Sequence, residues 1–142
     1  MLKSIRLFIL IFTFAMNLNA QDLSKHQWKD RLVLIIAEDD DNEKFQKQLA
    51  ELQNDQTGLK DRKLVIYQIL PKKYNTGFKK KTWENSTELY KKHKAEDSEF
   101  RVVLIGLDGG EKLVQTEVLS TKKLFNTIDS MPIRQSEMRK NQ

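Results

Sequence analysis

The chain has 142 residues, of which 25 are Lys or Arg and 20 are Asp or Glu, giving a formal charge of +5, and it contains no cysteine. Disulfides, thiolate nucleophiles, CxxC redox pairs and Cys-ligated zinc are therefore excluded. The two histidines, His26 and His93, have no nucleophile motif around them, so each is expected as a solvated surface side chain rather than a catalytic one.

Residues 1–20 read as a secretory signal peptide. Lys3 and Arg6 supply a positive start, Leu7 to Met16 is apolar except for Thr13, and Asn17-Leu18-Asn19-Ala20 ends in a small residue suited to cleavage before Gln21. The apolar run is about half the roughly 20 residues a membrane-spanning helix needs, and no cysteine is present to accept a lipid anchor. The expectation is an exported protein, periplasmic or extracellular, with one domain over residues 21–139, a polar tail at 140–142 and no transmembrane segment after cleavage.

Arg31 to Ala37 (RLVLIIA) is an uninterrupted aliphatic run between charges, the pattern of a strand buried on both faces. Over Asp41 to Thr57, Phe45, Leu49 and Leu52 share one face of a helix; Asp40 and Glu43 fit a capping box, and Gly58 a left-handed stop. Leu64 to Leu70 (LVIYQIL) reads as a second strand ended by Pro71, which has no N–H to donate. Residues 72–83 lack an apolar period and carry five lysines, so they read as a surface loop leading to a short helix at about Ser86 to Lys94. Phe100 to Leu107, the turn Asp108-Gly109-Gly110 and Lys112 to Thr116 form a hairpin. Ser120 or Thr121 caps a last helix with Leu124, Phe125 and Ile128 on its apolar face; Pro132 closes it, and Arg134 to Gln142 should fray.

This order predicts a mixed four-stranded sheet flanked by helices, the layout of the thioredoxin-like fold, with a flavodoxin-like alternative that would need more βα repeats. In thioredoxin-like enzymes the reactive cysteine follows the first strand at the start of the first helix, where the helix dipole favours a thiolate. Here that place reads Glu38-Asp39-Asp40-Asp41-Asn42-Glu43, and no thiol redox activity is expected. Capping explains these carboxylates. The EF-hand pattern fails, with Lys44 and Ala50 where Gly and Glu are required, so no metal is assigned; a looser oxygen-ligand site at Asp39, Asp40 and Asp41 is the alternative.

Charge is uneven: residues 72–94 hold eight lysines against Glu84 and Glu88, interleaved with Tyr74, Phe78, Trp83 and Tyr90. Lys72, Lys73, Lys79, Lys80 and Lys81 are the candidate polyanion-binding residues, set against a plain solvated loop.

Three stretches carry a family resemblance: WKDRLVLIIA with GLKDRKLVIYQI, FRVVLIGLDGGEKLV, and LFNTIDSMPIRQSEMRK. The chain resembles, over roughly Leu23 to Arg139, the bacterial secreted members of domain-of-unknown-function family 4174, also called P-DUDES, a peroxiredoxin-like module of the thioredoxin superfamily. The resemblance implies a thioredoxin-like fold without redox cysteines, exported, with no established activity; similar animal domains sit in extracellular-matrix proteins, which favours binding. Leu107, where a lysine is usual, and Lys63, where an acidic residue is common, depart from the family pattern. Of the motif residues, Asp129, Arg134 and Glu137 are not needed for a turn or a core, and Lys112, Asp129 and Arg134 form the candidate polar site, with a salt-bridge network as the plainer reading. The expected function is a non-catalytic binding or interaction module, its partner an envelope or extracellular protein or a polyanion, with no cofactor. The alternatives are a cysteine-independent enzyme using carboxylate and basic side chains, and attachment through the lysine-rich loop 72–94.

Overall fold

The computed structural model describes residues 23–79 and 83–142. The signal-peptide reading of residues 1–20, and Lys80 and Lys81 of the lysine loop, lie outside the described residues.

A 3-10 turn at Leu23–His26 leads into β1 (Arg31–Ala37), every residue of which is buried, as the aliphatic run predicts. Helices α1 (Glu43–Gln53) and α2 (Gln56–Asp61) follow, then β2 (Leu64–Leu70), β3 (Lys73–Thr76), β4 (Glu84–Asn85) and α3 (Glu88–His93). The hairpin β5 (Phe100–Ile105) and β6 (Glu111–Gln115) precedes α4 (Thr121–Asp129) and α5 (Pro132–Lys140).

The six strands form one open mixed sheet in the order β4-β3-β2-β1-β5-β6. Among the described residues only β1 and β2 are parallel, with Val33 opposite Ile66 and Ile35 opposite Gln68; the other pairs are antiparallel. Because side chains alternate along each strand, the buried sheet feeds two cores. Val33, Ile35, Ile66, Leu70, Val102 and Leu104 meet Phe45 and Leu52 of α1 and Leu124 and Ile128 of α4. On the opposite face Leu34, Ile36, Ile69 and Val103 pack with Tyr67, Tyr74 and Leu89 of α3. Each such aliphatic side chain contributes roughly 1.5–3 kcal/mol on burial. No helix among the described residues is long and apolar enough to cross a membrane.

The fold departs from the sequence expectation at four places. The sheet has six strands rather than four, because β3 and β4 lie in the segment read as a loop. The run KYNT carries only one apolar side chain, yet its Tyr74 is 6% exposed and opposite Ile69. The long first helix is broken at Asn54 and Asp55, where Asp55 caps α2 by accepting from the Gly58 N–H at 2.8 Å. Gly58 therefore sits inside a helix; a Cβ there would meet Asp55 Oδ2 and the Phe125 ring at 2.6 Å, so any side chain must push those side chains aside. At the start of α1 the cap is Asn42, whose Oδ1 accepts from the Phe45 N–H at 3.0 Å, rather than the Asp40 and Glu43 box. Finally, Pro132 opens α5 at its first turn, where a missing N–H costs nothing, so the segment from Arg134 onward is a helix up to Lys140 and not a frayed tail.

The hairpin turn follows expectation: Gly109 takes the left-handed φ of +82°, and Gly110 N–H donates to Asp108 Oδ1 at 3.0 Å.

Candidate functional site

At the end of the sheet where β1 and β2 begin, five segments deliver charge to one place. Arg31, 1% exposed at the head of β1, donates from Nη1 to Glu137 Oε2 at 3.2 Å and to the Arg62 carbonyl at 3.0 Å. Its Nη2 reaches Glu137 Oε1 at 3.4 Å. Arg62, between α2 and β2, grips Asp129 with two parallel bonds, Nε to Oδ1 at 3.0 Å and Nη2 to Oδ2 at 2.7 Å, while its guanidinium lies 3.9 Å above the Phe125 ring. Arg134, 3% exposed on α5, donates to Asp129 Oδ1 at 3.1 Å, to the Asp61 carbonyl at 3.0 Å and to the Asp61 carboxylate. Lys63, held at a left-handed φ of +52° where α2 ends, adds a 3.5 Å contact to Glu137.

Burial pushes the Asp129 carboxyl up, but the Arg62 and Arg134 hydrogen bonds outweigh it and hold the group below the usual carboxylate range. Glu137 is likewise raised by burial and brought below its ordinary value by Arg31 first, then Lys63 and Arg134. Bidentate arginine–carboxylate geometry is the strongest form of such contacts. Of the candidate polar site, Asp129 and Arg134 thus meet directly. Lys112 is bound instead to Asp108 Oδ2 at 2.7 Å within the β5–β6 hairpin, a contact that holds the Asp108 carboxyl below its ordinary value.

The opposite end of β1 carries the acidic segment. Asp39 Oδ1 accepts from the Asp41 N–H at 3.0 Å, and the Asp40 carbonyl accepts from Gln46 Nε2 at 2.6 Å. The exposed carboxylates of Asp39, Asp40 and Asp41 can bring oxygens within 4.8 Å of one another. Beside them, between α1 and β3, opens a cleft of about 530 Å³ with Asp40 and Asp41 at its rim, Phe78 and Trp83 in its wall, and Gln68 and Asn75 in its floor. Gln68 and Asn75 are cross-strand partners, 5% and 1% exposed. Gln68 Nε2 donates to the Gly77 carbonyl at 2.7 Å, and Asn75 Nδ2 to the Lys79 carbonyl at 2.6 Å.

The lysine loop is only partly a surface. Lys72 and Lys79 are exposed, but Lys73 is half-buried with its ammonium 4.8 Å from the centre of the Trp83 ring. Tyr74 turns inward and donates to Glu84 Oε2 at 2.5 Å, burial and that carboxylate pushing its phenol up to about 12.

Neither histidine is the solvated group that the sequence leads one to expect. His26 has Nδ1 2.7 Å from Asp30 Oδ2 and Nε2 2.7 Å from the Tyr67 hydroxyl. His93 is 7% exposed, and its Nε2 has no hydrogen-bond partner among the described residues. Burial, then the Lys92 charge, pushes its pKa down, so the imidazole is neutral at pH 7. Both rings line one cavity of about 340 Å³ above Leu32 and Ile105. Only the closing position of α3 in a short lysine-rich helix could have signalled this burial, since His93 lies four residues after the buried Leu89.

No curated protein and no solved structure matches the chain. A family model does, over residues 22–137, and that span holds the ion cluster, the acidic segment and the cleft. The chain belongs to the family described as Domain of unknown function (DUF4174).

Proposed function

We propose that the chain is an exported, non-catalytic binding module built on a thioredoxin-like scaffold. The scaffold reading is supported by the strand order β2-β1-β5-β6, with β1 and β2 parallel and a terminal hairpin followed by a helix; β3 and β4 extend that unit at its β2 edge. Export is supported by the charged, apolar and small-residue sequence of residues 1–20.

One observation carries the binding reading. Where thioredoxin-like enzymes hold a thiol, Asn42 uses its carboxamide to cap α1, and a cleft with aromatic walls and an amide floor opens alongside. Such a site can hold a molecule by shape and hydrogen bonds, and its lining supplies no thiol to exchange electrons with it.

Deuterium exchange of the full chain with and without an envelope extract tests this. Protection confined to residues 38–46, 68–79 and 83, together with no turnover of peroxide or of a protein disulfide, is the expected result. Turnover of either substrate, or protection appearing only around Arg31, Asp129 and Glu137, would overturn the reading. Export is checked separately by sequencing the amino terminus of protein from fractionated cells, which should begin at Gln21.

A further inference from the structure

A second cavity, separate from the cleft between α1 and β3, is walled by α3, the β5–β6 turn and the 3-10 turn before β1, over an apolar floor of Leu23, Leu32 and Ile105. Its volume of about 340 Å³ falls within the roughly 300–1,000 Å³ of small-molecule sites. His93, the last residue of α3, lines it while only 7% exposed, and its Nε2 is buried with no hydrogen-bond partner among the described residues. Leaving such an atom unpaired is costly, and this ring borders a space that a ligand can enter.

The carboxylates around the cavity already have basic partners. Asp30 lies 2.7 Å from His26 Nδ1, and the second nitrogen of that ring meets the Tyr67 hydroxyl. Asp108 takes the Lys112 ammonium at 2.7 Å, and Glu111 lies 3.8 Å from Arg101. The exposed Lys92 ammonium, by contrast, makes no hydrogen bond or ion pair among the described residues. An ammonium and an imidazole nitrogen are thus left over, and both suit an acceptor: Lys has donors only, and Nε2 donates in one neutral tautomer and in the imidazolium. The local field has the same sign. Apart from burial, the His93 ring feels Lys92 most, then Glu111, then Arg101, which is positive on balance. One ammonium and one imidazole match a single negative charge, whereas Asp30, Asp108 and Glu111 would repel a dianion. The apolar floor calls for a carbon body behind that charge. We propose that this cavity binds a small organic monocarboxylate, its body over Leu32 and Ile105 and its carboxylate accepting from His93 Nε2 and pairing with Lys92.

The test is a chemical-shift titration of the isotope-labelled full chain at pH 7 with hexanoate and benzoate. Hexanamide and benzamide serve as neutral isosteres, and sulfate as an inorganic dianion. At least one of the two acids should bind saturably, moving amides of residues 23–27, 92–93 and 105–111, at least tenfold tighter than its amide or sulfate and more weakly as salt is raised. His93→Phe should weaken that binding by about tenfold, one charge-assisted hydrogen bond, and Lys92→Gln by about threefold, one exposed ion pair. Lys91→Gln should leave it unchanged, because Lys91 pairs with Glu88 at 3.9 Å and lies outside the cavity. Lys92 is exposed, so its variant keeps the test decisive should His93→Phe fail to fold. No binding of either acid, equal binding of amide or sulfate, shifts confined to the cleft between α1 and β3, or affinity undiminished by Lys92→Gln would overturn the proposal. The cleft reading stands or falls separately, on protection by envelope extract.

Discussion

The two ends of β1 treat polar groups in opposite ways. At the Arg31 end, three arginines and three carboxylates are knitted by short, often bidentate contacts, and Asp129, Arg134 and Glu137 spend their charges on one another and on neighbouring elements. At the Ala37 end, Gln68, Asp40 and Asp41 line an open cleft, and Gln68 Nε2 donates to the Gly77 carbonyl. The arginine–carboxylate network fastens helices to a sheet, although Arg31 Nε has no hydrogen-bond partner among the described residues. The difference assigns structural work to the most recognisable motif, IDSMPIRQSEMR; the proposed binding reading places its site at residues that carry no motif at all.

This contrast is broken most directly by removing one partner from the network. Glu137→Ala strands the Arg31 guanidinium, 1% exposed, without its carboxylate, and should cost about 3–5 kcal/mol in urea unfolding. A loss below about 1 kcal/mol would mean that the cluster is not the fastening it is taken to be. Gly58→Ala comes next: a methyl group 2.6 Å from the Phe125 ring and Asp55 Oδ2 must displace those side chains, with an expected loss of about 1–3 kcal/mol in the same measurement. Unchanged stability would show that the contact is soft.

Acid sharpens the comparison further. Asp129 and Glu137 have folded pKa values below their unfolded ones, so their stabilisation is complete above the unfolded carboxylate range and is lost as pH falls through the folded values. His93 acts at higher pH. Its folded pKa is depressed, so the unfolded chain takes up a proton first, and stability falls as pH drops through about 6.5 toward the folded value. Thermal melts between pH 7.5 and about 5.5 should decline for the wild type and flatten for His93→Gln; parallel curves would dismiss the histidine. The smallest effect is expected from millimolar calcium or chelator, which should leave the melting temperature unchanged if Asp39, Asp40 and Asp41 serve only α1 and the cleft rim.

Much of this arrangement was legible in the amino acids. The burial of β1, the apolar face of α4 and the β5–β6 turn follow from periodicity and turn chemistry, and they are where the structure puts them. The misreadings share a cause. In β3 and α5 buried side chains include polar or charged ones: Asn75 beside Tyr74 in a four-residue strand, and Arg134 inside a helix whose Ile133 faces solvent. Hydrophobic period is blind to burial of that kind. Gly58 reads as a helix stop because nothing local announces that Phe125 packs against it from a distant helix. For the candidate polar site, the pairing of Asp129 with Arg134 was visible as motif spacing, but the partners Arg31, Arg62 and Asp61 come from chain segments far away in sequence. Gln68 was visible only as a polar break in LVIYQIL, and its meaning depends on the cross-strand Asn75 and on the position of α1.

The central proposal is that the cleft end of the molecule binds and the ion-paired end does not. Amide chemical-shift mapping of the isotope-labelled full chain, with and without an envelope extract, tests it in one experiment. Progressive shifts at residues 38–46, 68–79 and 83, with Arg31, Arg62, Asp129 and Glu137 unmoved, are the result predicted. Shifts centred on the arginine cluster, or a spectrum that does not change, would contradict it.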